Sequence, residues 1–464
     1  MSRSSNNREQ EVEYRRGRKR RQARSGTVVL TSLMIAPLLL TSCGSRSGSS
    51  GEAPQTGARP EAPKPPEPVE LVFKDATFGW SAESFMKDYG NAIQNKYPHM
   101  KITFVPKSAA PIKEMLTTKA QLDVVIVALS GFYGNIEDNK LQFDMTPYIK
   151  KHGFDMERID PTTVALAKQL AGGGIYGMPV NGAASPIVYN KDLFDKFGVA
   201  YPTDKMTWDD LYEMTKKLSR SEGGVSYYGA VISPADALLR NSFSLGFINP
   251  TTQKADFSSS KWRDYVHNLL RFYQIPGNQL SPAQLAGGET RTLFHKEQRL
   301  AMWLPVSGTG VHDLSFEGIN YDFAKIPSFK EAPGIGPQSW PLFFYLTSTS
   351  AHKEEAFQAL AFLASDEFQM QKSRSGILTV LRNKEIRQAF AQDAPEYKGK
   401  NLQAFLPESF APPAYMSKYN GYGVAELNKA FTELMAGGKD YNTAIREAEE
   451  RTNQKIAELE SANK

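Results

Sequence analysis

The chain has 464 residues, of which 41% are hydrophobic and 23% charged, enough for two domains with ample cores and ordinary for a soluble protein. The formal charge of +5 is concentrated at one end, because residues 1–42 carry nine Lys or Arg against three Asp or Glu and leave the remainder close to neutral. That balance excludes a basic face for nucleic acid on the folded part, and a single cysteine excludes a disulfide framework or a thiolate-rich metal site.

A basic cluster from Arg15 to Arg24 leads into an apolar run of 14 residues, Thr27 to Leu40. A membrane-spanning helix needs roughly 20 residues, so the run has the length and flanks of a secretory signal instead. It ends in Leu40-Thr41-Ser42-Cys43, which resembles the bacterial lipobox. The resemblance implies cleavage after residue 42 and lipidation of Cys43; ordinary secretory cleavage beside an incidental cysteine is the alternative. Residues 43–68 follow as a Gly/Ser stretch and then six prolines between Pro54 and Pro68, the composition of a flexible tether. Together they predict a lipid-anchored protein on the extracellular or periplasmic face of a cell membrane.

From Val69 the pattern is strand, helix, strand, helix, strand: Val69–Lys74, Ala82–Lys96 stopped by Pro98, Lys101–Val105, Ile112–Lys119 and Leu122–Val127. Such alternation reads as α/β with a mainly parallel sheet. Ligands of open α/β sheets bind beyond the carboxyl ends of strands. That rule selects the loops Asp75–Trp80 and Ala128–Tyr133, and with them Thr77, Phe78, Trp80, Ser130 and Tyr133 as binding candidates.

Gly172–Phe194 reads GGGIYGMPVNGAASPIVYNKDLF. Its Gly172, Gly174 and Gly177 spell G-x-G-x-x-G, yet a helical pattern precedes the first glycine and Pro179 follows the last, the reverse of a dinucleotide fingerprint. The glycines are expected to end a helix and make a tight turn. Tyr176-Gly-Met-Pro followed by Tyr189-Asn-Lys-Asp-Leu-Phe resembles the extracellular solute-binding proteins of ABC importers, the large family of the maltose-binding type. The resemblance runs from residue 69 to 464. It includes Asp123-Val-Val, with Leu122 where the family has proline, and Leu141 to Tyr148, similar to the family's Leu-x-Asp-Leu-Thr-Pro-Tyr.

Further along, Thr207-Trp208-Asp-Asp-Leu is similar to the family's Thr-Trp-Asp-Glu-Leu, with Thr207 in N-cap position and Trp208 as a packing residue. Tyr228–Ile232 reads as a strand, and a helix from Ser233 places Asp236 and Arg240 as polar candidates. Phe294 to Trp303 resembles the family's helix-to-strand step through Ala301-Met302, but the aromatic that follows in sugar-binding relatives is missing. Trp303 is its nearest substitute. Asn320–Pro327 resembles the second crossing between lobes, after which Trp340 re-enters the cleft. Lys353–Leu363 is an amphipathic scaffold helix. Tyr419 and Tyr422 match the late aromatic that relatives point at a sugar, and a charged helix from Asp440 closes the chain.

Six isolated histidines with no H-x-x-x-H pair, and a single cysteine assigned to the lipid, argue against a metal site of histidine and thiolate, and no P-loop or G-x-S-x-G is present. The 50 Asp and Glu leave a glycosidase carboxylate pair open. The resemblance implies a two-lobe, type II periplasmic-binding-protein-like α/β fold, each lobe a mainly parallel sheet flanked by helices and joined by crossover segments. The expected division is residues 1–42 as signal, 43–68 as tether, 69–180 with about 321–380 as first lobe, and about 181–320 with about 381–464 as second lobe. It implies no cofactor and no catalysis, and a monomer that carries a carbohydrate to ABC permease subunits served by a separate ATPase. A surface lipoprotein enzyme acting on polysaccharide, or a ligand-sensing subunit of a membrane receptor, are the alternatives.

Overall fold

The computed structural model describes residues 66–183, 185–285, 287–304 and 316–462. The signal, the tether and Cys43 lie outside the described residues. The strands form from apolar runs of β-branched and aromatic residues, most of them largely buried on both faces and one, Arg220–Glu222, wholly exposed. In chain order these are β1 Val69–Asp75, β2 Met100–Val105, β3 Val124–Val127, β4 Gly177–Asn181, β5 Ile187–Asn190, β6 Arg220–Glu222, β7 Val225–Ile232, β8 Leu300–Leu304, β9 Tyr321–Ala324, β10 Ile335–Gln338, β11 Leu342–Leu346 and β12 Ser409–Ala411.

Two five-stranded sheets form, β2-β1-β3-β11-β4 and β6-β7-β8-β5-β9, with a short parallel pair β10-β12 beside them. In the first, β1, β2, β3 and β4 point one way and β11 runs against its neighbours. In the second, β7, β8 and β9 point one way, while β5 and β6 are reversed. The reversed strands β5 and β11 are those by which the chain enters each sheet from the other. A chain that arrives from the neighbouring lobe starts at the facing edge and must run away from it, so each crossing inserts one antiparallel strand.

Each sheet has its own core. Phe73, Val125, Phe344, Leu360 and their neighbours make one cluster, and Val188, Val231, Met302, Leu269 and Phe431 belong to the other. The expected crossing near residue 321 falls later, since β9 is still an edge strand of the second sheet. The helices Asn420–Met435 and Tyr441–Ala462 contribute Leu427, Phe431, Ile445 and Ala448 to the second core. Among the described residues no helix is long and apolar enough to cross a membrane.

Local signals hold where they were read. The helix Pro161–Leu170 ends, Gly172 and Gly173 take φ of +58° and +109°, and β4 follows, so the glycine triplet is a helix stop before a strand. Thr207 caps Trp208–Leu218 through a full capping box with Asp210, and Trp208 is buried in the second core. The helix Ala82–Lys96 carries an internal π turn at Met86–Gly90, a widening that the apolar spacing did not announce.

Gly229 in β7 lies against the helix Trp208–Leu218, where a Cβ would overlap the Thr215 carbonyl oxygen, whereas a Cβ on Gly421 meets nothing within 4 Å. Replacing Gly229 by Ala is therefore expected to lower the unfolding free energy by about 2 kcal/mol or more. Gly421→Ala, in an exposed helical turn, should leave it unchanged or raise it by up to about 1 kcal/mol. Urea unfolding of the two variants beside the parent protein measures both, and equal midpoints for the two would contradict the close approach.

Candidate functional site

The loop after β3 and the start of β11 meet the short helix after β7 at Leu129, Trp340 and Leu239. On the first-lobe side, the Asp75 carboxylate at the end of β1 is fully buried. It accepts four backbone N–H groups, those of Thr77 and Phe78 at 2.8 Å on Oδ1 and those of Gly79 and Trp80 at 2.6 and 2.9 Å on Oδ2. One carboxylate thus folds the whole loop into a nest. Thr77 Oγ1 accepts the Ala128 N–H at 3.2 Å and ties this loop to the one after β3.

The nest orients two aromatic rings, which stack on a third from the following helix. Phe78 stacks on Trp80 with centroids 5.0 Å apart, and Trp80 stacks on Tyr89 at 5.5 Å. Tyr89 is anchored by the Asn181 amide, which donates to its hydroxyl at 2.6 Å. The outermost ring, Phe78, is 38% exposed, so the ladder presents an aromatic face to solvent backed by two fixed rings. Ser130 is exposed at the start of the next loop. Tyr133 donates its hydroxyl to the Met416 carbonyl at 2.8 Å, and burial raises its phenol above the ordinary value, which keeps it a donor.

On the second-lobe side, the short helix Pro234–Leu239 begins where β7 ends. Ser233 donates its hydroxyl to Asp236 Oδ2 at 2.6 Å. Arg240 is 5% exposed and donates to the Ser185 hydroxyl in the first crossing. Burial lowers its guanidinium below the ordinary value, and the charge of Asp236 opposes that shift. The Arg240 carbonyl accepts the Gln338 N–H at 3.1 Å, and the Gln338 amide donates to the Asn241 carbonyl at 3.0 Å, so this corner is tied to the return crossing.

Trp340, on that crossing, borders a gap of about 10 Å³ with Leu129, Leu166, Leu239, Phe247 and Met416. Such a space holds about one water. The two lobes are therefore in contact here, and a sugar-sized molecule reaches Trp340 only if they part. A larger cavity of about 480 Å³ flanks the crossings, bordered by Ser185, Arg240, Gln338 and Glu408 among others.

Two candidates fall elsewhere. Trp303 is 6% exposed in β8, a strand covered on both faces, and packs against Phe294 and Phe316. Tyr419 is 4% exposed within the second core, its hydroxyl donating to Glu460 Oε1 at 3.3 Å in the last helix. Both are packing residues because the register of their elements turns them inward. Tyr422, one turn further along the same helix, is 38% exposed. The sequence reading missed Gln169, whose Oε1 accepts the Met416 N–H at 2.9 Å across 247 positions, and Asn181 beneath the ladder. A polar residue at the end of a helix or strand carries no mark of so distant a partner. No cluster of His, Cys, Asp and Glu able to hold a metal occurs among the described residues.

The model of the family described as bacterial extracellular solute-binding protein matches residues 79–370. The sn-glycerol-3-phosphate-binding periplasmic protein UgpB of Rhizobium meliloti is 24% identical over 325 residues, 66% of this chain and 73% of its own. The mannitol-binding protein of Pseudomonas aeruginosa is 26% identical over 150 residues, 30% of this chain and 32% of its own. Among solved structures, a sugar transporter from Rhizobium etli in an open conformation superposes with a TM-score of 0.68 at 20% identity, covering 83% of this chain and 99% of that one. An ABC substrate-binding protein from Listeria monocytogenes in complex with cycloalternan gives 0.67 at 19%, covering 84% and 100%. At such identities these structures speak for the fold, that of the two-lobed type II periplasmic binding proteins.

Replacing Asp75 by Ala leaves four loop N–H groups without their acceptor. The expected loss is about 2–4 kcal/mol of stability, with a rise in hydrogen exchange at Thr77–Trp80. Unchanged exchange in that loop would show that water or another group takes over from the carboxylate.

Proposed function

Because the chain belongs to the bacterial extracellular solute-binding proteins, we propose that it is the capturing subunit of an ABC importer for a carbohydrate or oligosaccharide. It takes the sugar between its two lobes and hands it to membrane permease subunits served by a separate ATPase. The observation that carries the reading is the ladder Phe78–Trp80–Tyr89 at the carboxyl end of β1. Sugar rings present apolar C–H faces to aromatic rings and hydroxyls to the polar groups around them. Thr77, Ser130 and Tyr133 supply such groups beside the ladder, and Asp236 supplies one from the facing lobe. Trp340 closes the hinge end. Relatives named for glycerol 3-phosphate and mannitol, and a structural neighbour holding cycloalternan, fit a small polyhydroxylated cargo.

The mechanism follows from the geometry of the crossings. The lobes are joined by short segments, and Met416 ties them by two hydrogen bonds, from Tyr133 and to Gln169, and by packing of its side chain with the first core. Rotation about the crossings breaks these and admits a ligand, and closure over the bound sugar excludes water from the ladder. Affinity then depends on the difference between ligand contacts and the lobe contacts they replace.

Thermal unfolding of the full-length protein against mono- and oligosaccharides, polyols and peptides tests the cargo. A ligand at about 100 times its Kd should add roughly 2.7 kcal/mol and raise the midpoint. Trp80→Ala should weaken that ligand by about tenfold or more while the fold persists. A midpoint that moves with a peptide and with no sugar or polyol overturns the carbohydrate assignment. Release of shorter sugars from a glycan by the purified protein would make it an enzyme.

We also propose that Cys43 carries the lipid that holds the protein at the membrane, on the strength of the Leu-Thr-Ser-Cys stretch and the spacer behind it. A Cys43→Ser protein is expected in the soluble fraction or still joined to its signal, while the parent partitions into detergent. Equal partitioning of both mature proteins removes the anchor.

A further inference from the structure

We propose that the cavity flanking the two chain crossings is an oxyanion-binding site centred on Arg240, taking the carboxylate or phosphate group of a small ligand. The cavity encloses about 480 Å³, within the range of small-molecule sites, roughly 300–1,000 Å³. It is separate from the aromatic ladder and shares only Gln338 with the gap beside Trp340. The proposal rests on the surroundings of Arg240 and not on the sugar reading.

A guanidinium stays charged in proteins and carries five N–H donors in a planar fork suited to carboxylate and phosphate. Arg240 is 5% exposed, and buried charges are ordinarily paired. Here one donor reaches the neutral Ser185 hydroxyl, while Nε is buried with no acceptor. Asp236, one helical turn earlier, acts on Arg240 through its charge, but its Oδ2 takes the Ser233 hydroxyl and it makes no ion pair with the arginine. A purely structural role as a strut between Arg240 and Ser185 accounts for one donor and leaves Nε without a partner.

The rest of the lining agrees. Lys205 and Lys325 join Arg240 against Asp204 and Glu408. Asp204 is engaged, its Oδ1 accepting the Lys325 N–H at 3.0 Å and its two oxygens accepting the Asn401 amide at 2.9 and 3.0 Å. The lining thus carries three cationic side chains against two carboxylates, Arg240 itself being the surplus charge, and Arg240 makes no ion pair with either carboxylate. The segment Pro333–Gln338 forms one wall. A Cβ on Gly336 would come 2.9 Å from Pro407 Cβ, so that wall is close-packed backbone and holds its shape.

Titration calorimetry of the full-length protein with inorganic phosphate, glycerol 3-phosphate and glucuronate, beside neutral glycerol and glucose, tests the site. At least one anion is expected to bind saturably and more tightly than its neutral counterpart, and Arg240→Gln should weaken it by about tenfold or more. Lys205→Gln, at an exposed position, should weaken it by a few-fold with the unfolding midpoint unchanged, and carries the test should the Arg240 variant fail to fold. Binding of phosphate itself identifies a free anion as the occupant. Binding confined to glycerol 3-phosphate or glucuronate identifies the charged end of a larger ligand. The site is overturned if no anion binds, or if both variants bind as the parent does. A neutral sugar that binds where every anion fails removes this site and leaves the importer reading standing.

Discussion

Both sheets of this protein present their strand ends to the same seam, because one chain builds the first sheet, crosses to build the second, and crosses back. Each strand that enters from the other side, β5 in one sheet and β11 in the other, starts at the seam and runs away from it. The strands that point the other way consequently end at the seam, and their following loops are gathered there. Leu129, Leu239 and Trp340 meet at this junction, and Arg240 lines the cavity beside it. Each sheet keeps its own core, and the stretch from Leu378 to Phe390 contributes side chains to both.

The two walls of the seam differ chemically. The first-lobe wall is aromatic and is shaped by a buried carboxylate that holds backbone instead of ligand. Asp75 spends its charge on four N–H groups, which makes Phe78 and Trp80 stand out from the loop in a defined stack. The second-lobe wall is polar, and its main charged group is held by a serine of the first crossing. Apolar stacking on one side and directional donors on the other suit a ligand that is amphipathic on a scale of a few ångströms.

The contact between lobes is modest. Tyr133, Gln169 and Met416 provide two hydrogen bonds, and Leu129, Leu166, Leu239, Phe247 and Trp340 nearly fill the space beside them. A small polar and apolar latch of this kind holds the lobes together without opposing a ligand that offers more. The same side chains that close the gap are those that parting lobes would expose to cargo.

Much of this was legible before any coordinates. Apolar runs bounded by proline and glycine located the strands to within a few residues, Thr207 announced its helix, and the loops that carry Thr77, Phe78, Trp80, Ser130 and Tyr133 do follow the ends of β1 and β3. Local chemistry suffices for these, since a cap, a turn or a strand end depends on residues a few positions apart. Trp303 and Tyr419 were misplaced because facing is decided by register against neighbours far along the chain, and an aromatic beside a strand end or helix start reads alike whether it points inward or out. The order of the elements by itself determined an α/β chain and the loops beyond its strand ends, and the expectation of two lobes came from the resemblance to the solute-binding family. Only the tertiary structure decided which aromatics stack into a ladder, that Met416 bridges to Tyr133 and Gln169, and that Arg240 is buried with its Nε lacking an acceptor, because each depends on groups brought together from separate stretches of the chain.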